Sequence, residues 1–237
     1  MHGTMQTVMQ PTANANKHHA INPVERPAPR DALDLLEQFG ATVTIRHDGE
    51  IVGQGDPAEF CYKILNGWVR RVTLMEDGRR QVCAFLMPGD LFGFDDLVTH
   101  DFAAEAVSDV VLRRYPRRLV EALADGRLAL ARRLRDLTAI SLRTAHSHLM
   151  LLGRKSASER IASFLLEMAE RLPEHGDCVV CLPMTRTDVA DYLGMTIETV
   201  CRNLAQFRRD GTIAIERGGI AIRNRVSLGM MASEPRH

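Results

Sequence analysis

The sequence lacks any apolar run long enough to cross a membrane as a helix. Its first residues also lack the apolar core of a secretory signal peptide, so we expect a cytoplasmic protein that does not contact membranes. Net charge is missing as well, because 30 Lys and Arg balance 30 Asp and Glu among the 237 residues. Any attraction to an anionic partner must therefore come from a local patch rather than from the whole molecule.

Cysteine is scarce, and its spacing gives neither a disulfide framework nor a metal site. The chain has five cysteines, an odd number, scattered along its length. Cys178 and Cys181 form one C-x-x-C pair, whereas structural zinc needs four ligands. His146 and His148 diverge by about 200° on a helix, and the Lys17-His18-His19 cluster lies in a polar stretch. We therefore predict no bound metal and no cofactor.

Composition divides the chain into four segments. Residues 1–30 are rich in Thr, Asn, Gln, Pro and His without a period, which is typical of a mobile tail. Residues 31–120 alternate apolar and polar side chains between regularly placed glycines, which predicts a small β-barrel or jelly roll. Residues 121–153 have a helical period, and residues 154–237 contain a helix, a short strand, two short helices and a β-hairpin, after which the last residues are expected to fray.

Two local features sharpen this division. Asn66-Gly67 stands between two apolar runs, which is a strong signal for a β-hairpin. In the third segment, leucines recur at steps of three and four residues with few glycines or prolines between them, and such a long helix is suited to pair with its copy as a coiled coil. The alternative is a helix that packs on its own barrel. The predicted dimerisation residues are Leu130, Leu134, Leu137, Leu142 and Leu149.

The most informative stretch lies between Thr185 and Arg202. It predicts two short helices joined by a tight turn at Gly194, with an inner face formed by Val189, Leu193, Val200 and Leu204. This pattern is typical of a helix-turn-helix, which places its second helix in the major groove of double-stranded DNA. The hairpin that follows predicts a wing.

The second of these helices carries two side chains suited to reading bases. Glu198 and Arg202 lie one turn apart; a carboxylate accepts from the cytosine amino group, and a guanidinium bridges guanine O6 and N7. The alternative is an ordinary surface ion pair at i,i+4 spacing. Arg208 and Arg209, near the end of the helix, are predicted to contact phosphates and to add salt-dependent attraction.

Cys201 is a candidate redox site. It precedes Arg202 near the start of the second helix, and both features favour the thiolate. Oxidation would add negative charge beside DNA phosphates, so we hypothesise that it switches off DNA binding. The alternative is a small residue that fills a tight contact.

Four stretches of the chain form a recognisable set: Gly67-Trp68-Val69, Pro88-Gly89-Asp90-Leu91-Phe92-Gly93, Glu159-Arg160-Ile161-Ala162 and Ile197-Glu198-Thr199-Val200-Cys201-Arg202. Over roughly residues 35–225 the chain resembles the cyclic-AMP receptor protein and fumarate–nitrate reductase regulator (CRP/FNR) superfamily, and most closely its FixK branch. The resemblance implies an α+β fold: a cyclic-nucleotide-binding-like β-barrel (jelly roll), a long dimerisation helix and a C-terminal winged helix-turn-helix. It also implies a transcription activator of microaerobic or anaerobic respiration, denitrification or nitrogen-fixation genes.

The same resemblance implies the partners and contacts. A homodimer would bind a two-fold DNA site resembling TTGAT-N4-ATCAA and would contact RNA polymerase through its barrel. Glu198 and Arg202 would read the G·C pair of each half-site, and Ile197 and Cys201 would lie near thymine methyl groups. The residues expected to hold phosphates are Thr185, Arg186, Thr196 and Thr199.

The resemblance also predicts that the barrel has no effector. Cyclic-AMP binders of the superfamily carry an Arg-Ser pair that residues 92–106 lack, and Asp95 and Asp96 lie in that stretch. Iron–sulfur sensors need N-terminal cysteines, which this tail lacks; Cys61 and Cys83 alone supply too few thiolates. The alternative is a regulator gated by haem-bound nitric oxide or an organic ligand. A cupin-like enzyme is disfavoured, because His47 and His100 have no partner histidine at metal-binding spacing and no nucleophile–base pair is evident.

Overall fold

Two four-stranded antiparallel sheets form the first half of the chain in the computed structural model, which describes residues 32–94, 98–172, 179–180, 182–216 and 219–233. The strands are β1 (Ala41–Ile45), β2 (Glu50–Val52), β3 (Phe60–Asn66), β4 (Val69–Leu74), β5 (Arg80–Leu86), β6 (Leu91–Phe92), β7 (Ala103–Ala106) and β8 (Val110–Pro116). One sheet has the order β1-β8-β3-β6, and the other has the order β2-β7-β4-β5.

The core of this barrel consists of the inward-facing residues of both sheets. Val69, Ala104 and Leu112 are completely buried there, and the rings of Tyr62 and Phe92 stack with centroids 4.9 Å apart. Because side chains alternate across a strand, each strand gives one face to this core. The predicted jelly-roll-like barrel is confirmed.

The chain crosses from one sheet to the other at Asn66-Gly67, so the predicted hairpin is wrong. Strand β3 pairs with β6 and β8, whereas β4 pairs with β5 and β7. Gly67 has φ +84°, and a Cβ there would lie 2.2 Å from the carbonyl oxygen of Asp109. Only glycine avoids both the strain and the clash. Asn66-Gly67 does form a turn, but the turn joins a strand of one sheet to a strand of the other and not two paired strands.

The helical segment begins earlier than predicted and is broken. Helix α1 spans Arg117–Asp125 and α2 spans Leu128–Arg154, with the break at Gly126 and Arg127. A 3-10 helix at Ala32–Phe39, which the sequence did not predict, packs against the start of α2.

One of the predicted dimerisation residues belongs to the protomer's own core. Leu130 has no exposed surface and packs with Leu33, Leu36 and Tyr115, so its prediction as a dimer contact is wrong. Leu134 and Leu137 are half-buried against the same cluster. The alternative of a helix packed on its own barrel therefore holds for the first turns of α2.

The second half of the chain is a core of four helices with a small antiparallel sheet. The elements are α3 (Ala157–Arg171), β9 (Val179–Val180), α4 (Arg186–Leu193), α5 (Ile197–Arg209), β10 (Ile213–Glu216), β11 (Gly219–Ile222) and α6 (Arg225–Ser233). The sheet has the order β10-β11-β9. The last helix, α6, was not predicted, and the expectation that the end of the chain frays is wrong for this helix, because its Leu228 is completely buried in the core.

Some predictions fall outside the described residues. These are the tail at residues 1–30, the C-x-x-C cysteines Cys178 and Cys181, and the acidic pair Asp95 and Asp96. Among the helices that the structure does describe, none is both long enough and apolar enough to cross a membrane.

Candidate nucleic-acid interface

Helices α4 and α5 form the predicted helix-turn-helix, and local signals define each boundary. Thr185 caps α4 in a capping box with Asp188. Gly194 ends α4 with φ 60° in the left-handed region, and Thr196 caps α5 by accepting from the backbone N–H of Thr199. The predicted inner face is buried at all four positions: Val189, Leu193, Val200 and Leu204.

The outer face of α5 brings the four candidate base-reading residues together. Ile197, Glu198, Cys201 and Arg202 are all exposed. Residues four apart, such as Ile197 and Cys201 or Glu198 and Arg202, are neighbours on the surface of a helix. Within the described residues, no ion pair joins Glu198 to Arg202, and the Arg202 guanidinium has no hydrogen-bond partner. The alternative of a surface ion pair is therefore not formed, and both groups are free to face a ligand.

The Glu198 carboxyl is held in its charged form. Its own backbone N–H and the Thr196 hydroxyl hydrogen-bond to it, and these bonds lower the pKa of Glu198 below its ordinary value. An ionised carboxylate is an acceptor only. At neutral pH it can accept from an amino group, such as cytosine N4, and cannot donate to a carbonyl.

The threonines predicted to hold phosphates are engaged in helix caps. The Thr185 hydroxyl donates to Asp188 Oδ2 at 2.7 Å, and the Thr196 and Thr199 hydroxyls lie 3.2 Å apart. Since caps satisfy only part of the first turn, the start of α5 keeps N–H groups and the positive end of its dipole for an anion. Thr185 therefore fits a positioning role better than a direct hydroxyl contact.

The arginines predicted to contact phosphates lie at both ends of the motif. Arg186, in the first turn of α4, is half-buried, whereas Arg208 and Arg209 are exposed in the last turn of α5. Arg209 donates to the Gln206 side chain at 2.5 Å. Because the net charge of the chain is zero, attraction to an anionic partner needs a local positive patch, and these arginines supply one around α5.

One residue that positions the motif was missed as a functional residue, although it lies in the Glu159-Arg160-Ile161-Ala162 stretch. Arg160 donates to the carbonyls of Leu193 at 2.8 Å, Leu152 at 2.7 Å and Lys155 at 2.9 Å. The guanidinium thus joins the turn between α4 and α5 to the end of α2. Only the carbonyl partners, which no sequence pattern displays, reveal this role.

The middle of α2 is uncovered on every side. Residues 138–147 are all exposed, including Leu142, at 70% exposed, and Ile140, at 45%. Leu149, about two turns beyond Leu142, is 67% exposed. A helix with exposed large apolar side chains buries them against a partner, so Leu142 and Leu149 remain candidate dimer contacts.

The barrel histidines do not form a site. His47 is exposed beside Asp48, 3.1 Å away, whereas His100 is buried against the Phe102 ring. Cys61 is buried and donates to the Gly93 carbonyl, and Cys83 is exposed. Among the described residues, no group of three or more His, Cys, Asp or Glu could hold a metal ion.

Two family models match this chain. The cyclic nucleotide-binding domain matches residues 42–127, and the Crp-like helix-turn-helix domain matches residues 159–230. These ranges coincide with the barrel and with the helical half that contains α3 to α6.

Similar proteins cover most of the chain. The nitrogen fixation regulation protein FixK of Rhizobium meliloti is 40% identical over 88% of this chain and 88% of its own. The protein of the same name from Bradyrhizobium diazoefficiens is 38% identical over 81% of this chain and 83% of its own. The structure of FixK2 from Bradyrhizobium japonicum is 42% identical, covers 83% of this chain and 99% of that one, and has a TM-score of 0.79. The chain therefore belongs to the CRP/FNR family of transcription regulators, in its FixK-like branch.

Proposed function

We propose that this protein is a homodimeric, cytoplasmic transcription activator that binds a two-fold DNA site resembling TTGAT-N4-ATCAA. Its target genes are those of low-oxygen respiration, denitrification or nitrogen fixation, and its second partner is RNA polymerase. The observation that carries the proposal is the outer face of α5, where Glu198 and Arg202 are exposed and unpaired with each other. The names of the FixK relatives support the class of genes.

Base reading follows from the chemistry of these two groups. The Glu198 carboxylate would accept from a cytosine amino group, while the Arg202 guanidinium would donate to O6 and N7 of guanine. Together they specify one G·C pair per half-site. Ile197 and Cys201 would contact thymine methyl groups, and the phosphate contacts at the helix start and at Arg208 and Arg209 would set the register.

Dimerisation follows from the uncovered part of α2. Two copies of the helix would bury Leu142 and Leu149, which are 70% and 67% exposed in one protomer. A two-fold protein presents its reader helices to two half-sites one turn of duplex apart. The dimer is therefore what makes the DNA site a palindrome.

We propose further that the protein acts without a small-molecule effector. The interior of the barrel is occupied by its own side chains: Tyr62 stacks on Phe92, and the Arg71 guanidinium lies 3.7 Å from the centre of the Phe102 ring. The competing candidate is a haem-bound sensor of nitric oxide, and an absorption spectrum of the purified protein distinguishes the two. A Soret band would contradict the effector-free proposal.

The test of dimeric DNA binding compares two duplexes by fluorescence anisotropy. One carries both half-sites, and the other has one half-site scrambled. We expect two chains per duplex at saturation and an affinity for the intact site about a hundredfold higher or more, because linked half-sites bind with avidity. Equal affinities, or one chain per duplex, would refute the proposal.

A further inference from the structure

The first helix of the helix-turn-helix is bound to the barrel by two arginines. Arg80, at the start of β5, donates to Asp188 Oδ1 at 2.6 Å and to Asp191 Oδ2 at 2.7 Å. Arg70, in β4, donates to Asp188 at 3.3 Å. We call these four residues the α4 clamp. It joins positions more than a hundred residues apart in sequence, since 118 residues separate Arg70 from Asp188.

The central ion pair of the clamp is buried, so its geometry is fixed. The side chains of Asp188 and Arg70 are only 3% and 10% exposed, and charges removed from water to this extent need fixed, well-placed partners. Glu105 and Asp48 complete the shell of Arg70, at 2.7 and 3.1 Å. Asp188 is also the acidic member of the α4 capping box, so the clamp acts on the first turn of that helix.

Further contacts outside the clamp also join the barrel to the DNA-binding half. The Phe85 ring lies 5.2 Å from Tyr192, and the Gln81 amide donates to the Asp191 carbonyl at 2.5 Å. Arg171 of α3 donates to Asp90 Oδ2 at 2.6 Å. The outer face of the β4–β5 sheet and the DNA-binding half thus share one core.

The clamp acts on α5 because α4 and α5 pack through a common buried face. Leu193, Val200 and Leu204 are buried between them. Arg160 joins the turn between the two helices to the end of α2. The reader helix is therefore held from two directions, from the barrel through α4 and from the dimerisation helix through Arg160.

We propose that the α4 clamp fixes the mutual position of the two reader helices and so sets the number of base pairs allowed between half-sites. The inference rests on the proposed dimeric DNA binding. One added base pair turns the second half-site by about 34° and moves it by about 3.4 Å. A rigidly held pair of readers cannot follow that displacement, whereas a loosely held pair can. The clamp residues are positioning residues and do not contact DNA themselves.

The experiment measures binding of dimeric protein to duplexes with spacers of three, four and five base pairs, and to a single half-site. The principal variant is D191A, because Asp191 is not a cap and its side chain is 22% exposed. R80A is the second variant. The matched control is R79A, which removes a neighbouring arginine that is 76% exposed and pairs locally with Asp77.

We expect the wild type and R79A to prefer the four-base-pair spacer by at least about tenfold. D191A and R80A should lose most of this preference while retaining their affinity for the single half-site. The double variant D191A/R80A should have the same spacer preference as R80A alone, because Asp191 acts through its contact with Arg80.

The results distinguish a failure of the proposed DNA reading from a failure of the clamp inference. If the wild type binds all three spacers equally, the proposed reading of two half-sites is wrong, and the clamp inference fails with it. If the wild type discriminates and D191A and R80A do so equally well, only the clamp inference is overturned. It is also overturned if both variants lose thermal stability and half-site affinity in proportion, since that marks a structural role alone.

Discussion

Replacing Arg202 by alanine should weaken binding to the target DNA and remove the choice of base at one position in each half-site. The Arg202 side chain is exposed and has no hydrogen-bond partner within the described residues, so its loss breaks nothing in the folded protein. Stability should change by no more than about 0.5 kcal/mol. A bidentate arginine–guanine contact contributes about 1–3 kcal/mol of discrimination, which corresponds to a roughly 5- to 150-fold change in affinity for each half-site.

The assay titrates wild type and Arg202→Ala against the target duplex, against duplexes with the G·C pair replaced, and against scrambled DNA. Arg209→Ala is the matched control, because Arg209 is exposed on the same helix but lies in its last turn. The control should weaken all duplexes alike and reduce the salt slope by about one for each protomer. If Arg202→Ala discriminates target from scrambled DNA as well as the wild type does, the assigned role is refuted.

Three further predictions follow from the same structure. Leu142→Glu should give monomers in light scattering and lose binding to the two-fold site, because it places like charges where two α2 helices would meet. Peroxide should abolish DNA binding of the wild type and leave Cys201→Ser active, because oxidised Cys201 would carry negative charge toward phosphates. His148→Phe should flatten the decline of unfolding free energy below about pH 6.5. His148 stacks on Tyr192, and burial lowers its pKa from 6.5. The unfolded state therefore takes up the proton first, and stability falls as the pH drops through 6.5.

Each of these has its own control. Val98→Glu, at a residue 90% exposed on the barrel, should remain dimeric; if Leu142→Glu is also dimeric, the α2 interface is wrong. Loss of binding by both wild type and Cys201→Ser after peroxide would rule out the redox hypothesis. His146→Gln, at an exposed neighbour on α2, is the matched control for removing an imidazole from this helix. Burial raises the pKa of Glu167, which acts in the opposite sense, but neither histidine variant removes it. An unchanged profile for His148→Phe would refute the assignment.

The helix-turn-helix could be predicted from the sequence because its signals are local. Thr185 and Asp188 define a capping box, Gly194 takes the left-handed turn, and Val189 and Val200 mark the buried face within a few residues of each other. Propensity, capping and apolar spacing all agree there, and such agreement specifies one local structure.

The contacts that hold the motif in place could not be predicted, because they join distant parts of the chain. Asn66-Gly67 has the local signal of a hairpin, but sheet pairing across the barrel decides that β3 and β4 separate. The core formed with the 3-10 helix takes Leu130 away from the dimer surface. Arg70 and Asp188 are in contact only because the barrel packs against α4, and no spacing in the sequence indicates that they pair.

Selection of bound sequences from random duplex DNA is the sharpest test of two-fold base reading by α5. We expect a palindrome with one G·C pair per half-site, a four-base-pair spacer and enrichment without any added ligand; Glu198→Ala and Arg202→Ala should each relax that G·C position alone. Recovery of unrelated sequences, of single half-sites without a fixed spacer, or of an unchanged G·C preference in both variants would contradict two-fold base reading.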